Sequence, residues 1–142
     1  MARVSTFKNK EVKEKIRAIF TEYVEDAKSY KIVYGYCMQR KFLMRKVSGY
    51  ILGYDKNKIV AVHIRFNGEL IEKPLVFTKE NVTNIKIKSG NKVEITSTIL
   101  IKPIVITVAP SISTTMEGAM IYPINQEDGA RQFMEFVKGF LQ

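Results

Sequence analysis

The chain has 142 residues, 46% of them hydrophobic, with eight Phe and seven Tyr. That is one domain of residues 1–142, able to bury about 68% of its unfolded surface, and it excludes wholesale disorder. The formal charge of +9 is uneven, +6 over residues 31–60 against −2 over residues 103–142, so the basic excess either attracts anionic partners or serves solubility alone.

The single cysteine, Cys37, excludes an internal disulfide and fits a reducing cytoplasm. Lys8, Lys10, Glu11, Lys13, Glu14 and Lys15 interrupt any apolar leader segment. The longest uncharged stretch, Pro103–Met116, is too short and too rich in Pro, Ser and Thr to span a bilayer. The expectation is a soluble cytoplasmic protein.

From Asn9 to Lys28, Val12, Ile16, Ile19, Phe20, Tyr23, Val24 and Ala27 recur at steps of three and four, which predicts an amphipathic helix with a core-facing stripe. Residues 1–30 thus form a helical extension and residues 31–142 a β domain. After Lys31 the period changes to two, and strand runs follow at Ile32–Met38, Phe42–Tyr54 and Ile59–Phe66. Asp55-Lys56-Asn57-Lys58 reads as a turn, and Asn67-Gly68 is the strongest hairpin signal in the chain. Leu70–Phe77 follows, with Pro74 pointing to an edge or bulge. Val82–Lys88 and Lys92–Thr98 form the next pair, with Val93 and Ile95 facing inward.

Ile104–Ala109 is a short buried run, and Lys102 and Pro103 guard the aggregation-prone stretch Ile99–Val108. Pro110–Gly118 reads as a Ser/Thr loop, either satisfying its own backbone or holding a polar ligand, and Ala119–Tyr122 is a weaker run. A closing helix starts near Asn125 or Gln126, with Asn125 as its N-cap and Glu127 and Asp128 in its first turn. Its apolar face is Ala130, Phe133, Met134, Val137, Phe140 and Leu141, with Phe136 off the stripe.

No phosphate-binding glycine loop, dinucleotide fingerprint or metal-ligand cluster occurs, so neither cofactor nor metal is expected. Gly49 and Gly53 have a small-xxx-small spacing, but in a strand the helix-packing reason for that motif does not apply. His63 falls opposite the apolar face of its strand, partly exposed, with no carboxylate beside it in sequence to make it a general base. Cys37 reads as a buried, inert thiol. The best functional lead is basic. Arg40-Lys41 and Arg45-Lys46 lie at the ends of the first two runs and share one rim of the sheet, while Lys56 and Lys58 mark its opposite end. Such a rim suits an anionic membrane or an acidic protein, or is a solvated connection. Nucleic acid stacked on Tyr34, Tyr36 and Tyr50 is the weaker candidate.

Three segments together resemble the pleckstrin-homology-like (PH-like) domains found in bacteria. They are Gly49-Tyr50-Ile51-Leu52-Gly53-Tyr54-Asp55 leading into Lys58–Ile64, the phrase Phe77-Thr78-Lys79-Glu80-Asn81-Val82-Thr83-Asn84-Ile85-Lys86, and the closing helix Glu127–Leu141. The likeness spans residues 31–142 and is one of layout more than of signature residues. It implies an α+β fold: an antiparallel β-sandwich or partly open barrel of about seven strands, plugged by the C-terminal helix, with the N-terminal helix as an addition that packs on the sheet or on a second copy. It also implies a binding or scaffolding module, not an enzyme, with Arg40, Lys41, Arg45 and Lys46 in the place of the family's basic first hairpin. About eight strand candidates stand against the family's seven, so either Leu70–Phe77 or Ala119–Tyr122 is not a strand. The rival is a small-ligand carrier or enzyme resembling the nuclear transport factor 2 fold, which also begins with a helix but ends on strands.

Overall fold

The computed structural model describes residues 6–41, 44–113 and 121–141, with backbone alone for Thr6, Phe7, Arg40, Lys41, Met44 and Arg45. The apolar stripe forms helix α1 (Thr6–Tyr23) and buries Ile16, Ile19 and Phe20. It stops short of the expected Lys28. Asp26 turns left-handed at φ 55°, and the carbonyl of Asp26 accepts from both the backbone N–H (2.9 Å) and the Oγ (2.7 Å) of Ser29. That local capture favours a single 3-10 turn, Ala27–Ser29, over continued α-helix.

Seven strands follow as an antiparallel sheet: β1 (Lys31–Lys41), β2 (Met44–Tyr54), β3 (Lys58–Ile64), β4 (Leu75–Thr78), β5 (Val82–Lys88), β6 (Lys92–Ser97) and β7 (Ile104–Thr107). Their spatial order is β4-β3-β2-β1-β7-β6-β5. The sheet curls into a half-barrel flanked by α1 and by a C-terminal helix α2 (Glu127–Gly139), which is the α+β architecture expected. Two short strands, β8 (Ser111–Ile112) and β9 (Ile124–Asn125), pair separately.

Each face of the curl has its own core. Phe77 of β4 meets Val93 and Ile95 of β6 in one cluster with Phe133, Val137 and Phe140 of α2. Residues from both wings of the sheet converge there, so it is the inside of the curl. Outside, Ile16, Ile19 and Phe20 of α1 pack with Ile51, Val60, Val62 and Ile64. Strand β3 is therefore buried on both faces, Ile59 and Ala61 inward and Val60 and Val62 outward.

Asn67-Gly68 does make the tight turn, with Gly68 at φ 89° and Arg65 N–H donating to Glu69 O at 2.8 Å. Beyond it Leu70 forms one bridge to Ile64, and the strand resumes only at Leu75, because Pro74 lacks the ladder donor. Strand β4 is nevertheless real. In the weaker run Ala119–Tyr122, Ala119 and Met120 lie outside the described residues, and Ile121 and Tyr122 are not strand. Pairing falls instead on Ile124–Asn125 and on Ser111–Ile112, inside the expected Ser/Thr loop, of which Thr114–Gly118 also lie outside. The run Phe42–Tyr54 begins outside too, at Phe42 and Leu43.

Asn125 is not the N-cap. Gln126 holds that position without a side-chain cap, because its amide is used elsewhere, while Asn125 Oδ1 accepts from Ser111 Oγ at 3.0 Å. Leu141 lies past the end of α2 and is exposed rather than core, and Phe136 of α2 packs with its ring centroid 4.7 Å from that of Tyr54.

A candidate binding site at the open end of the half-barrel

Strands β1 and β2 form a long ribbon whose final pairs are Gln39 with Lys46, Arg40 with Arg45, and Lys41 with Met44. The expected rim is therefore assembled by register: all four cations stand at the tip of one hairpin. Lys46 is exposed, and for Arg40, Lys41 and Arg45 the backbone alone is described. Between Asp26 and Asp55 the chain holds no acidic residue, so nothing on either strand neutralises the tip. Lys56 and Lys58 fall at the other end of β2, where Lys58 Nζ lies 5.5 Å from the Tyr30 ring centroid. Other cations are committed locally. Lys86 and Lys88 meet Glu94 at 3.3 Å and 2.9 Å, which lowers the Glu94 carboxyl chiefly through Lys88.

The ribbon is held to the rest of the sheet by little. Between β1 and β7 the register consists of one pair, Tyr36 with Thr107. On one side of that pair the sheet is closed by Gln126. On the other it opens into a cleft of about 790 Å³, whose lining includes Cys37, Met38, Gln39, Tyr50, Leu75 and Glu72, with the loop Ile99–Pro103 along its other wall. Met38 (47% exposed), Ile99 (46%) and Ile101 (105%) present apolar side chains at its mouth. Such a cluster of exposed apolar groups beside a cleft marks an interaction site more often than chance. No periodicity in the sequence signalled it. The one hint was Ile99-Leu100-Ile101, read as an aggregation hazard with Lys102 and Pro103 as its guards.

Behind the cleft, tertiary packing overturns one expectation. His63 does have a carboxylate beside it: Glu72 Oε1 lies 3.6 Å from Nδ1, brought there by the return from the Asn67-Gly68 turn. Ser48 Oγ is 2.5 Å from Nε2, and the ring stacks on Tyr50 at 4.1 Å. Burial pushes the imidazole below its usual pKa. Glu72 opposes that shift, and Lys46 and Arg65 deepen it.

The order Ser–His–Glu superficially matches a hydrolytic relay. The geometry does not make one: 3.6 Å is beyond a hydrogen bond, and among the described residues Nδ1 is buried without a hydrogen-bond partner. Ser48 also sits within the β2 ladder, not on an exposed turn. The three residues brace β2 against β3 and hold Tyr50 flat against the cleft.

Cys37 is buried and its thiol is pushed up by that burial, as an inert thiol requires. Tyr34 and Tyr50 are buried and Tyr36 half-buried, so these rings are not laid out to stack bases. A smaller cavity of about 230 Å³ lies between α1 and β1, but its polar wall includes Gln126, whose amide is already bonded.

Among the described residues no group of His, Cys, Asp and Glu side chains is placed to hold a metal ion, and no helix is long and apolar enough to cross a membrane. No model of a known protein family matches the chain, and no curated protein matches it.

Proposed function

We propose that this chain is a cytoplasmic, non-enzymatic binding module of the PH-like type, and that it takes an anionic partner at the open end of its half-barrel through Arg40, Lys41, Arg45 and Lys46. The observation that carries this reading is the β1–β2 register, which stacks the four cations on the last rungs of one hairpin. Cations so clustered raise the local concentration of an anionic ligand, and the effect weakens with salt.

The seven antiparallel strands and the C-terminal helix packed inside the curl support the reading, because they are the layout that the resemblance implies. The apolar stripe of α1 is covered by its own sheet, so self-association through that helix would have to use its charged outer face.

The test is binding to three probes at physiological and at high salt: phosphatidylserine-containing vesicles, neutral phosphatidylcholine vesicles, and polyglutamate. The expected result is binding to at least one anionic probe, weakened by salt and lost when Arg40, Lys41, Arg45 and Lys46 are all changed to Glu. Equal binding by the variant, or no wild-type binding to either anionic probe, would overturn the proposal.

A further inference from the structure

The split between β1 and β7 exposes backbone as well as side chains. Tyr34 directs its N–H and C=O away from β2, where both are taken by the Gln126 amide. Strand alternation places the N–H and C=O of Tyr36 and Met38 on that same edge. Tyr36 is paired with Thr107, and there the β1–β7 register ends. Among the described residues, Met38 therefore carries a ladder donor and acceptor with no strand to receive them. The opposite wall is built alike: Val108 N–H bonds Asn91 O on the β6 side, so alternation turns Thr107 and Val105 toward β1.

Unpaired edge groups of this kind are normally covered or charged, because they template the addition of another strand. Here they are flanked by the exposed Met38, Ile99 and Ile101. Edge donors and acceptors specify an extended backbone, and the apolar walls specify alternate apolar side chains. The charge around the cleft specifies the rest. Lys102 lines it, the basic hairpin tip continues β1 beyond it, and Glu72 is the one acid among the described residues of its lining.

We infer that the cleft is a docking groove for an extended, acidic, apolar-alternating segment of a partner protein, which adds as a strand to the free edge of β1 at Met38, under the loop Ile99–Pro103. This deepens the binding reading above and rests on it. The rim supplies attraction, and the cleft supplies the shape that selects a peptide over a lipid surface.

The experiment is selection of a phage-displayed library of random dodecapeptides on the full chain, followed by fluorescence polarisation with the enriched peptides. Enrichment of alternating apolar residues with acidic neighbours is expected, together with slowed hydrogen exchange at Met38 and Val105 on binding. Met38→Pro removes the outward N–H together with the flanking Met side chain, and should weaken binding by about tenfold or more. Ile101→Glu, at a fully exposed loop position, should weaken it similarly and keeps the test sharp if the proline variant does not fold.

No enriched peptide, or peptides whose binding leaves the Met38 and Val105 amides and the Ile101→Glu variant unaffected, would overturn the groove. Vesicle binding without peptide binding would do the same while leaving the basic rim intact. Loss of polyglutamate and vesicle binding alike in the charge-reversed rim speaks to the rim alone, so the two failures are distinguishable.

Discussion

The side-chain amide of Gln126 stands in for a β-strand beside Tyr34: its Oε1 accepts from Tyr34 N–H at 2.9 Å, and its Nε2 donates to Tyr34 O at 2.6 Å. The same Nε2 donates to Ala109 O at 2.9 Å, so one amide seals the sheet where β7 departs from β1. Asn9 of α1 repeats the device on β9, accepting from Asn125 N–H at 2.7 Å and donating to Asn125 O at 3.1 Å. The interior behind the cleft is thus closed by side-chain amides where backbone pairing fails, which meets the requirement that buried backbone groups be bonded.

Replacing Gln126 with Leu keeps the volume and removes the three bonds that its side-chain amide makes to Tyr34 and Ala109. Each orphaned buried group costs about 1–3 kcal/mol, so a loss of about 3 kcal/mol is expected, read as a lower urea midpoint with unchanged slope. A loss under about 0.5 kcal/mol would show that Gln126 is a surface-like position after all.

Gly53→Ala should destabilise by about 1–3 kcal/mol through overpacking. A Cβ there would fall on the Phe20 ring, 2.7 Å from Cε1 and closer still to Cζ. Gly49 has the same relation to the Tyr34 hydroxyl, with Cζ at 2.9 Å. The Gly49 and Gly53 spacing therefore does have a packing reason, in a strand lying under α1 and Tyr34. Adding Phe20→Leu should make the double variant less destabilised than the sum of the singles, and strict additivity would contradict the contact.

Asn81 ties the β4–β5 turn to the end of β6. Its Oδ1 accepts from Thr78 N–H (3.1 Å) and Ser97 Oγ (3.0 Å), and its Nδ2 donates to Val76 O (2.9 Å). Asn81→Ala should cost about 1–3 kcal/mol and speed hydrogen exchange at Thr78. Asn81→Asp, which keeps the acceptor, should cost less, and the reverse ranking would refute this account.

His63 should make stability depend on pH. Its folded pKa lies below the ordinary value of about 6.5, so below that pH the unfolded chain binds more protons than the folded one. Stability due to this group is fully present above pH of about 6.5 and declines as pH falls toward the folded pKa. His63→Gln, which can keep a bond to Ser48, should flatten that part of the profile in urea titrations. An unchanged slope would mean that other groups carry it.

Local pattern was legible wherever the reporting residues are near one another in the chain. The period of three and four predicted α1 and α2, the period of two located the sheet strands to within a few residues, and Asn67-Gly68 placed its turn. The doublets Arg40-Lys41 and Arg45-Lys46 predicted a shared rim because a tight hairpin must bring its two ends together. Even local readings failed where a side chain had a distant partner. Asn125 looked like a helix cap, but its carboxamide oxygen receives the Ser111 hydroxyl. His63 looked solitary because Glu72 returns to it only after the turn closes.

What the chain determined by itself, then, is its elements, their amphipathic faces and the basic tip. These follow from side-chain period, turn chemistry and charge over spans of a few residues. The tertiary structure alone decided the strand order, the burial of β3 on both faces and the cleft beside Tyr36. Each of those depends on which edges find partners after the sheet has curled. Tyr34 and Gln126 are 92 positions apart. No periodicity reaches that far, because hydrogen bonding and packing act over ångströms in space and not over positions in sequence.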